Sequence, residues 1–268
     1  MQTDMNTDEF RELVWQRSHE LYRDMPWRDD PTFYYVLVSE LMLQQTQVSR
    51  VLAKFDEFMK AFPSIEKLAE ASLADVLRVW QGLGYNRRAK FLYEAAKYVT
   101  LHGQPTTLEE LVKLPGVGRN TAGALMNYVY EIPTPFIETN IRTVYLNHFF
   151  TGEKSVSDRE LQKIVERTMD RENPREWYWA LMDYGVWLKG QGAGALTLSQ
   201  HYRKQSPLKG SVREVRGQII AQLTKHDYSL DQLSRKVEAD ERFAQALEGL
   251  LQDGLIEQTG EQIHLTKH

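Results

Sequence analysis

Through the first third of the chain, apolar residues recur every three to four positions, the spacing of one face of a helix. Residues 8 to 24 carry Phe10, Leu13, Val14 and Leu21 on one stripe, and Met25-Pro26-Trp27-Arg28 breaks it. Asp30-Pro31 then opens a second helix, with Asp as N-cap and Pro at the first helical position. Its stripe is Phe33, Val36, Leu37 and Leu41. After a polar run, Val48, Val51, Leu52, Phe55, Phe58 and Met59 mark a third helix. Pro63-Ser64 and Ala71-Ser72 start two more, and Ser72 stands in a capping-box relation to Asp75. That helix ends at Gly82-Leu83-Gly84-Tyr85, and a basic helix with Arg87, Arg88 and Lys90 follows. No strand pattern interrupts this portion, and it reads as all-α.

Thr107 and Glu110 form a second capping box ahead of a short helix. The helix stops at Leu114-Pro115-Gly116-Val117-Gly118, and another begins at Arg119-Asn120. The prolines of Pro133-Thr134-Pro135 extend the chain, and Thr139 or Asn140 caps the next helix. Trp177 to Leu188 reads as a buried helix. Residues 211 to 268 form a unit of three helices and a two-stranded hairpin, the order of a winged helix. The expected domains are therefore 1–188, a linker at 189–210, and 211–268.

Composition narrows the chemistry. The chain has 268 residues, 42% hydrophobic and 26% charged, as in ordinary globular proteins. It has no Cys, which excludes disulfides, thiol nucleophiles and Cys-ligated metal centres. Its seven His show no metal-ligand spacing. No apolar run approaches a membrane span, and the acidic N-terminus is unlike a signal peptide, so no membrane role and a cytoplasmic location are expected. The net charge of −4 argues mildly against nucleic acid, but the positive charge is unevenly placed. From Tyr184 to Arg213 there is no Asp or Glu, while Lys189, Arg203, Lys204, Lys209 and Arg213 fall there. That stretch is either a basic strap along a phosphate backbone or a solvated linker. The third helix of the C-terminal unit carries Asp240, Glu241, Glu248 and Asp253 against Arg242. A major groove would repel it, which favours packing or a protein partner.

Two carboxylates stand out. Glu40 lies on the apolar stripe, three and four residues from Leu37 and Val36. Periodicity alone leaves open a rim residue, an ion-paired residue, or a desolvated acid of raised pKa. The adjoining Gln44-Gln45-Thr46-Gln47 suits contacts with bases and phosphates. Glu138 falls at a helix start, where the dipole favours an ionised carboxylate; a plain cap is the simpler reading. A raised acid paired with a low-pKa anion suits cleavage through a cationic sugar. The glycines of LPGVG allow positive φ and leave N–H groups bare at a helix start, an arrangement that holds a phosphate.

Four segments, SELMLQQTQV, QGLGYNRRAK, LPGVGRNTAGAL and FIETN, resemble in order and spacing the adenine DNA glycosylases (MutY type) of the helix-hairpin-helix superfamily. The resemblance spans roughly residues 8 to 188. It implies two helical lobes with the active site in their cleft, and duplex DNA with a mispaired or damaged base as partner. Glu40 matches the acid that protonates adenine, and Glu138 the carboxylate that stabilises the sugar cation. Gln45 and Tyr85 match residues that wedge into the base stack. Gly116, Val117 and Gly118 match the phosphate-binding hairpin, where a Na+ or K+ ion would sit on the carbonyls of Val112, Leu114 and Val117. Asn120 stands where endonuclease III-type relatives have a Schiff-base lysine, which implies a glycosylase without lyase activity. Gln44, Arg88, Lys189, Arg203 and Lys204 complete the expected DNA contacts.

The chain departs from the pattern in three places. Glu replaces the usual Asp at position 138. No Cys remains for the iron–sulfur cluster, and the acid-free stretch occupies its place. The C-terminal domain that recognises 8-oxoguanine in the family is replaced by the winged-helix-like unit. The expected function is a monofunctional, monomeric base-excision glycosylase. The alternatives are a glycosylase for another modified base and a weakly catalytic lesion sensor.

Overall fold

The computed structural model describes residues 5–193, 196–200 and 206–267. α1 (Thr7–Leu21) is closed by a capping box between Asn6 and Glu9, and ends before the expected residue 24 because Tyr22 turns to an extended backbone. The expected break at Met25 is itself a helical turn, α2 (Pro26–Asp29), with Pro at its first position. α3 (Phe33–Leu43) starts later than Asp30-Pro31 suggests. Thr32 takes the first turn instead: its carbonyl accepts from Val36 N–H at 3.0 Å and its hydroxyl from Tyr35 N–H at 3.5 Å.

α4 (Val48–Ala61), α5 (Ile65–Glu70), α6 (Leu73–Val79) and α7 (Arg87–His102) follow as the periodicity predicts, with Ser64 and Ser72 capping α5 and α6. α8 (Leu108–Leu111) carries the Thr107–Glu110 capping box. α9 (Arg119–Tyr128) and α10 (Thr139–Phe149) come next. α11 (Asp158–Thr168), capped by Ser157 and Glu160, was not anticipated; α12 (Pro174–Gly190) was. The C-terminal order is α13 (Val212–Leu223), β1 (Tyr228–Ser229), α14 (Leu230–Lys236), α15 (Phe243–Gln252), β2 (Ile256–Thr259) and β3 (Gln262–Leu265). The three strands pair antiparallel in the order β1-β3-β2, which is a winged helix with its small sheet. The fold class is all-α with this minor sheet.

The chain forms two compact units. The first comprises Met1–Val36, Thr106–Val112 and Val117–Lys204; the second comprises Leu37–Pro105, Lys113–Gly116 and Gln205–His268. The C-terminal segment, expected as a domain of its own, packs onto α6 and α7 of the second unit. Arg78 Nε donates to the Thr224 carbonyl at 3.3 Å and Lys90 Nζ to the Asp253 carbonyl at 2.7 Å.

In the first unit, α1, α10 and α12 pack around Phe10, whose ring meets Tyr145, Phe149 and Trp177. Asp183 is buried in the middle of α12. It accepts from Arg28 at 2.7 and 2.9 Å and from Arg23 at 2.6 Å, so its charge is matched twice. Residues 196–200, expected within a linker or strap, are docked on this unit. Val156 N–H bonds the Leu198 carbonyl at 2.8 Å, and Arg142 donates to Ser199 Oγ at 3.1 Å.

Replacing Asp183 by Ala leaves Arg28, itself 6% exposed, as an uncompensated buried charge. A stability loss of about 3–5 kcal/mol is expected, read by urea denaturation.

Candidate active site

Glu40 sits on α3 with Leu37, Val38, Leu41 and Met42 all buried around it, and is itself half-buried. The C-terminal end of α3 is held by Arg88. This guanidinium donates to the carbonyls of Leu41 and Met42 at 2.8 and 2.7 Å, of Leu83 and Gly84 at 3.2 and 3.0 Å, and to Thr46 Oγ1 at 3.0 Å. Arg88 is 6% exposed, and burial pulls its pKa down to about 10. Expected on a DNA-contacting surface, Arg88 is instead an internal brace, because its donors are directed to protein acceptors. It joins the end of α3, the Gln44–Gln47 loop and the Gly82–Tyr85 turn.

That brace sets two loop tips. Gln45 (φ 56°) and Tyr85 (φ 46°) both adopt left-handed backbone, which is costly for residues with a Cβ. Gln45 is exposed and Tyr85 half-buried. Gln44 turns inward, its Nε2 donating to the Gly116 carbonyl at 3.2 Å. Gly116 has φ 77°, and a Cβ there would lie 2.7 Å from Phe91 Cβ, so the position requires glycine on two counts. Gly118 differs: its φ of −84° suits any residue, and it serves as N-cap of α9. Of the two hairpin glycines, Gly116 alone uses the positive φ that both allow. Val117 is buried, Leu114 is buried and Val112 is exposed.

Asn120, on the first turn of α9, donates to the Ile137 carbonyl at 2.8 Å. It anchors the segment entering Glu138. Glu138 is the N-cap residue of α10, but its side chain does not cap the helix. Gly185 explains the close approach of α12 to α10, since a Cβ there would lie 2.3 Å from the Asn140 carbonyl oxygen. One turn further on, Lys189 Nζ donates to Asn140 Oδ1 at 2.5 Å.

Burial pushes the Glu138 carboxyl pKa up, and the Lys189 ammonium opposes it. This corrects the expectation of a low-pKa anion at a helix start: loss of water outweighs the dipole in so enclosed a recess. Burial likewise lowers the Lys189 pKa, with Glu138 opposing. Lys189 itself remains largely exposed, so solvent screens the pair and Glu138's own desolvation dominates. Lys189, expected along a DNA backbone, is turned to α10. Arg203 and Lys204 lie outside the described residues.

Sequence reasoning missed the charge pairing of Lys189 with Glu138. The one available signal was that Lys189 is the first charged residue after Asp183 on the same helix. It also missed that Arg213 reaches Tyr85, whose hydroxyl accepts a hydrogen bond from it.

α8, the Gly-rich turn and α9 form a helix-hairpin-helix. Residues 38–169 match the HhH-GPD superfamily of base excision DNA repair proteins. The chain is 34% identical over 275 residues to the adenine DNA glycosylase of Mycobacterium tuberculosis (strain H37Rv), covering 92% of this chain and 89% of that one. It is 34% identical over 171 residues to the adenine DNA glycosylase of Buchnera aphidicola subsp. Schizaphis graminum, covering 61% of this chain and 49% of that one. The aligned region thus spans about half of the Buchnera protein's length. The fold resembles a thermostable thymine-DNA glycosylase (TM-score 0.62, 22% identity, 73% of this chain and 98% of that one). It also resembles endonuclease III in a non-covalent DNA complex (TM-score 0.54, 17% identity, 75% and 90%). The chain belongs to the HhH-GPD superfamily, in its adenine DNA glycosylase (MutY-type) branch.

Two outcomes follow from this geometry. Arg88→Lys keeps the charge but lacks the planar fork, so several buried carbonyls lose donors. Thermal or urea unfolding is expected to show a loss of about 2–3 kcal/mol. Lys189→Met removes the cation that restrains Glu138. The carboxyl is expected to titrate at higher pH than in the parent, with Lys189→Arg restoring it, as followed by 13C-carboxyl NMR.

Proposed function

We propose that this protein is a monofunctional DNA glycosylase that removes adenine from a mispair in duplex DNA and leaves an abasic site. The observation that carries this reading is Glu40, set among buried apolar residues on α3 and followed directly by the braced Gln44–Gln47 loop. The kinship with proteins named adenine DNA glycosylase supports it.

The steps follow from the residues. The hairpin N–H groups at Gly116–Gly118 hold a backbone phosphate. The target nucleotide leaves the stack, and Gln45 and Tyr85 support the gap. Glu40 gives its proton to the adenine ring, which makes the base a better leaving group. The bond from C1′ to the base nitrogen breaks, and positive charge develops on the sugar. The Glu138 carboxylate, kept ionised with the help of Lys189, opposes that charge in a site already organised for it. Water adds at C1′, and the proton it releases restores the acid form of Glu40. Asn120 offers an amide, not an amine, so no Schiff base forms from that position.

The carbonyls of Val112, Leu114 and Val117 are the groups that would hold a Na+ or K+ ion at the hairpin turn. Neutral oxygen donors suit a hard monovalent cation, whose charge would strengthen the phosphate contact there. Among the described residues, no cluster of His, Asp or Glu suggests another metal. No helix among them is long and apolar enough to cross a membrane. A cytoplasmic monomer is the accompanying proposal.

The burial of Glu138 favours one other reading, a weakly catalytic lesion sensor, because a protonated carboxyl stabilises no cation. Single-turnover excision separates the two. The substrates are end-labelled duplexes with adenine opposite 8-oxoguanine, guanine or thymine, followed by alkali. Strand breaks are expected opposite 8-oxoguanine or guanine, with Glu40→Gln slower by about 100-fold or more. Full excision by Glu40→Gln would reject the mechanism; tight binding with no breaks would select the sensor.

A further inference from the structure

A cavity lies wholly within the second unit, between the braced loops and α13 of the winged-helix-like segment. Its volume is about 1140 Å³, at the upper end of small-ligand sites. One wall is Gln44 to Gln47 and the Gly84–Arg88 segment; the other is α13 and the residues just before it. The α13 wall lies beyond residues 38–169 that define the superfamily.

The lining is a particular mixture. Five arginines reach it; Arg88 is taken up as the brace, and Arg50, Arg87, Arg213 and Arg216 remain, in a protein whose net charge is −4. The two carboxylates there are already matched. Asp253 faces Arg216 and Arg87, and Glu214 accepts from Arg242 at 3.0 Å. The surplus is positive and calls for an anion. Amide side chains also line the space, from Gln44 and Asn86 to Gln218, and they suit the donor and acceptor edges of a base. Tyr85 and Phe91 offer rings. The Tyr85 ring lies 5.0 Å from the Arg213 guanidinium carbon and 5.4 Å from that of Arg88. Phosphate-matching charge, base-matching amides and stacking faces together describe a nucleotide. An acidic peptide would use only the first of these.

The backbone points the same way. The tips at Gln45 and Tyr85 are both strained, and both line this cavity. Meanwhile α15, the third helix of the winged-helix order, keeps an acidic flank, with Asp240 and Glu248 beside it.

We propose that the winged-helix-like segment binds DNA through its first helix, α13, and that the cavity takes an unstacked nucleotide of the duplex between Arg213, Gln218 and Tyr85. This rests on duplex DNA as the substrate, and it assigns the C-terminal segment a direct share in holding that substrate. The acidic flank of the third helix, at Asp240 and Glu248, takes no part in the contact.

The test is fluorescence anisotropy with short labelled duplexes, one carrying a single extrahelical nucleotide and one fully paired. The full chain is used in the Glu40→Gln background so that no base is removed. Arg213→Ala deletes the guanidinium. Gln218→Glu, at an exposed helical position, adds a negative charge without disturbing the core. Each is expected to weaken binding of the bulged duplex by about tenfold, and Arg213→Ala to flatten the salt dependence by about one unit of slope. Arg235→Ala, on α14, is expected to change neither. Unchanged affinity in both cavity variants overturns the proposal, as does equal weakening on the fully paired duplex. Loss of polyglutamate binding in Arg213→Ala, with DNA binding intact, would reassign the cavity to an acidic protein. The outcomes for this proposal and for the enzymatic one are separable. DNA binding that depends on Arg213 without any excision by the parent sinks only the glycosylase reading. Normal excision with binding indifferent to Arg213 and Gln218 sinks only this one.

Discussion

The second unit depends on one buried guanidinium. Three separate pieces of chain end near Arg88: the last turn of α3, the polar loop after it, and the turn before α7. Each carries carbonyls or a hydroxyl that accept from Arg88, and Trp80 Nε1 adds a second donor to the Gly84 carbonyl. A single planar fork satisfies them together, and its charge strengthens every bond it makes in a medium of low dielectric. Burying the charge has a cost, visible in the depressed pKa of Arg88. The charge-assisted hydrogen bonds offset that cost, and they fix the strained tips at Gln45 and Tyr85 without any regular element beneath them. The residues proposed to enter DNA are therefore positioned by one that never touches it.

The first unit solves the opposite problem. Its carboxylate at position 138 must carry charge in a recess that disfavours charge. Gly185 lets α12 press against the start of α10, which excludes water, and the same crossing brings Lys189 within reach of Asn140. Desolvation and compensation come from one helix contact. A glutamate, one methylene longer than aspartate, still has a cation nearby to oppose its protonation. Elsewhere in the unit, Asp183 shows how a buried carboxylate is matched when only stability is at stake. Two arginines surround it, and no recess is left open.

Two stretches beyond residues 38–169 have structural partners of their own. Residues 196–200 dock on the first unit through Ser199 and Val156, which secures chain that would otherwise hang loose. The winged-helix-like segment packs on α6 and α7, and its first helix reaches Tyr85 through Arg213. The connection between them concentrates positive charge by omitting acids rather than by adding many bases.

The sequence by itself determined the helices with strong local signals: a capping box at Thr107, an N-cap at Ser72, an apolar stripe on α4, and the Gly-rich hairpin. These are short-range effects, decided within one or two turns of chain. It also placed Glu40 and Glu138 and showed that no cysteine chemistry is available. Local pattern misjudges Asp30-Pro31, where Thr32 wins the cap, while α11 does carry a local signal in the Ser157–Glu160 capping box and the buried face of Leu161 and Val165. Only the tertiary structure decided the charges. Arg88 reads as a surface base from its neighbours, yet it is buried because segments distant in sequence converge on it. Glu138 reads as a favoured anion from its helix dipole, yet α12 strips its water. Charge state and exposure depend on what the rest of the chain brings near a group, and residue spacing carries no record of that.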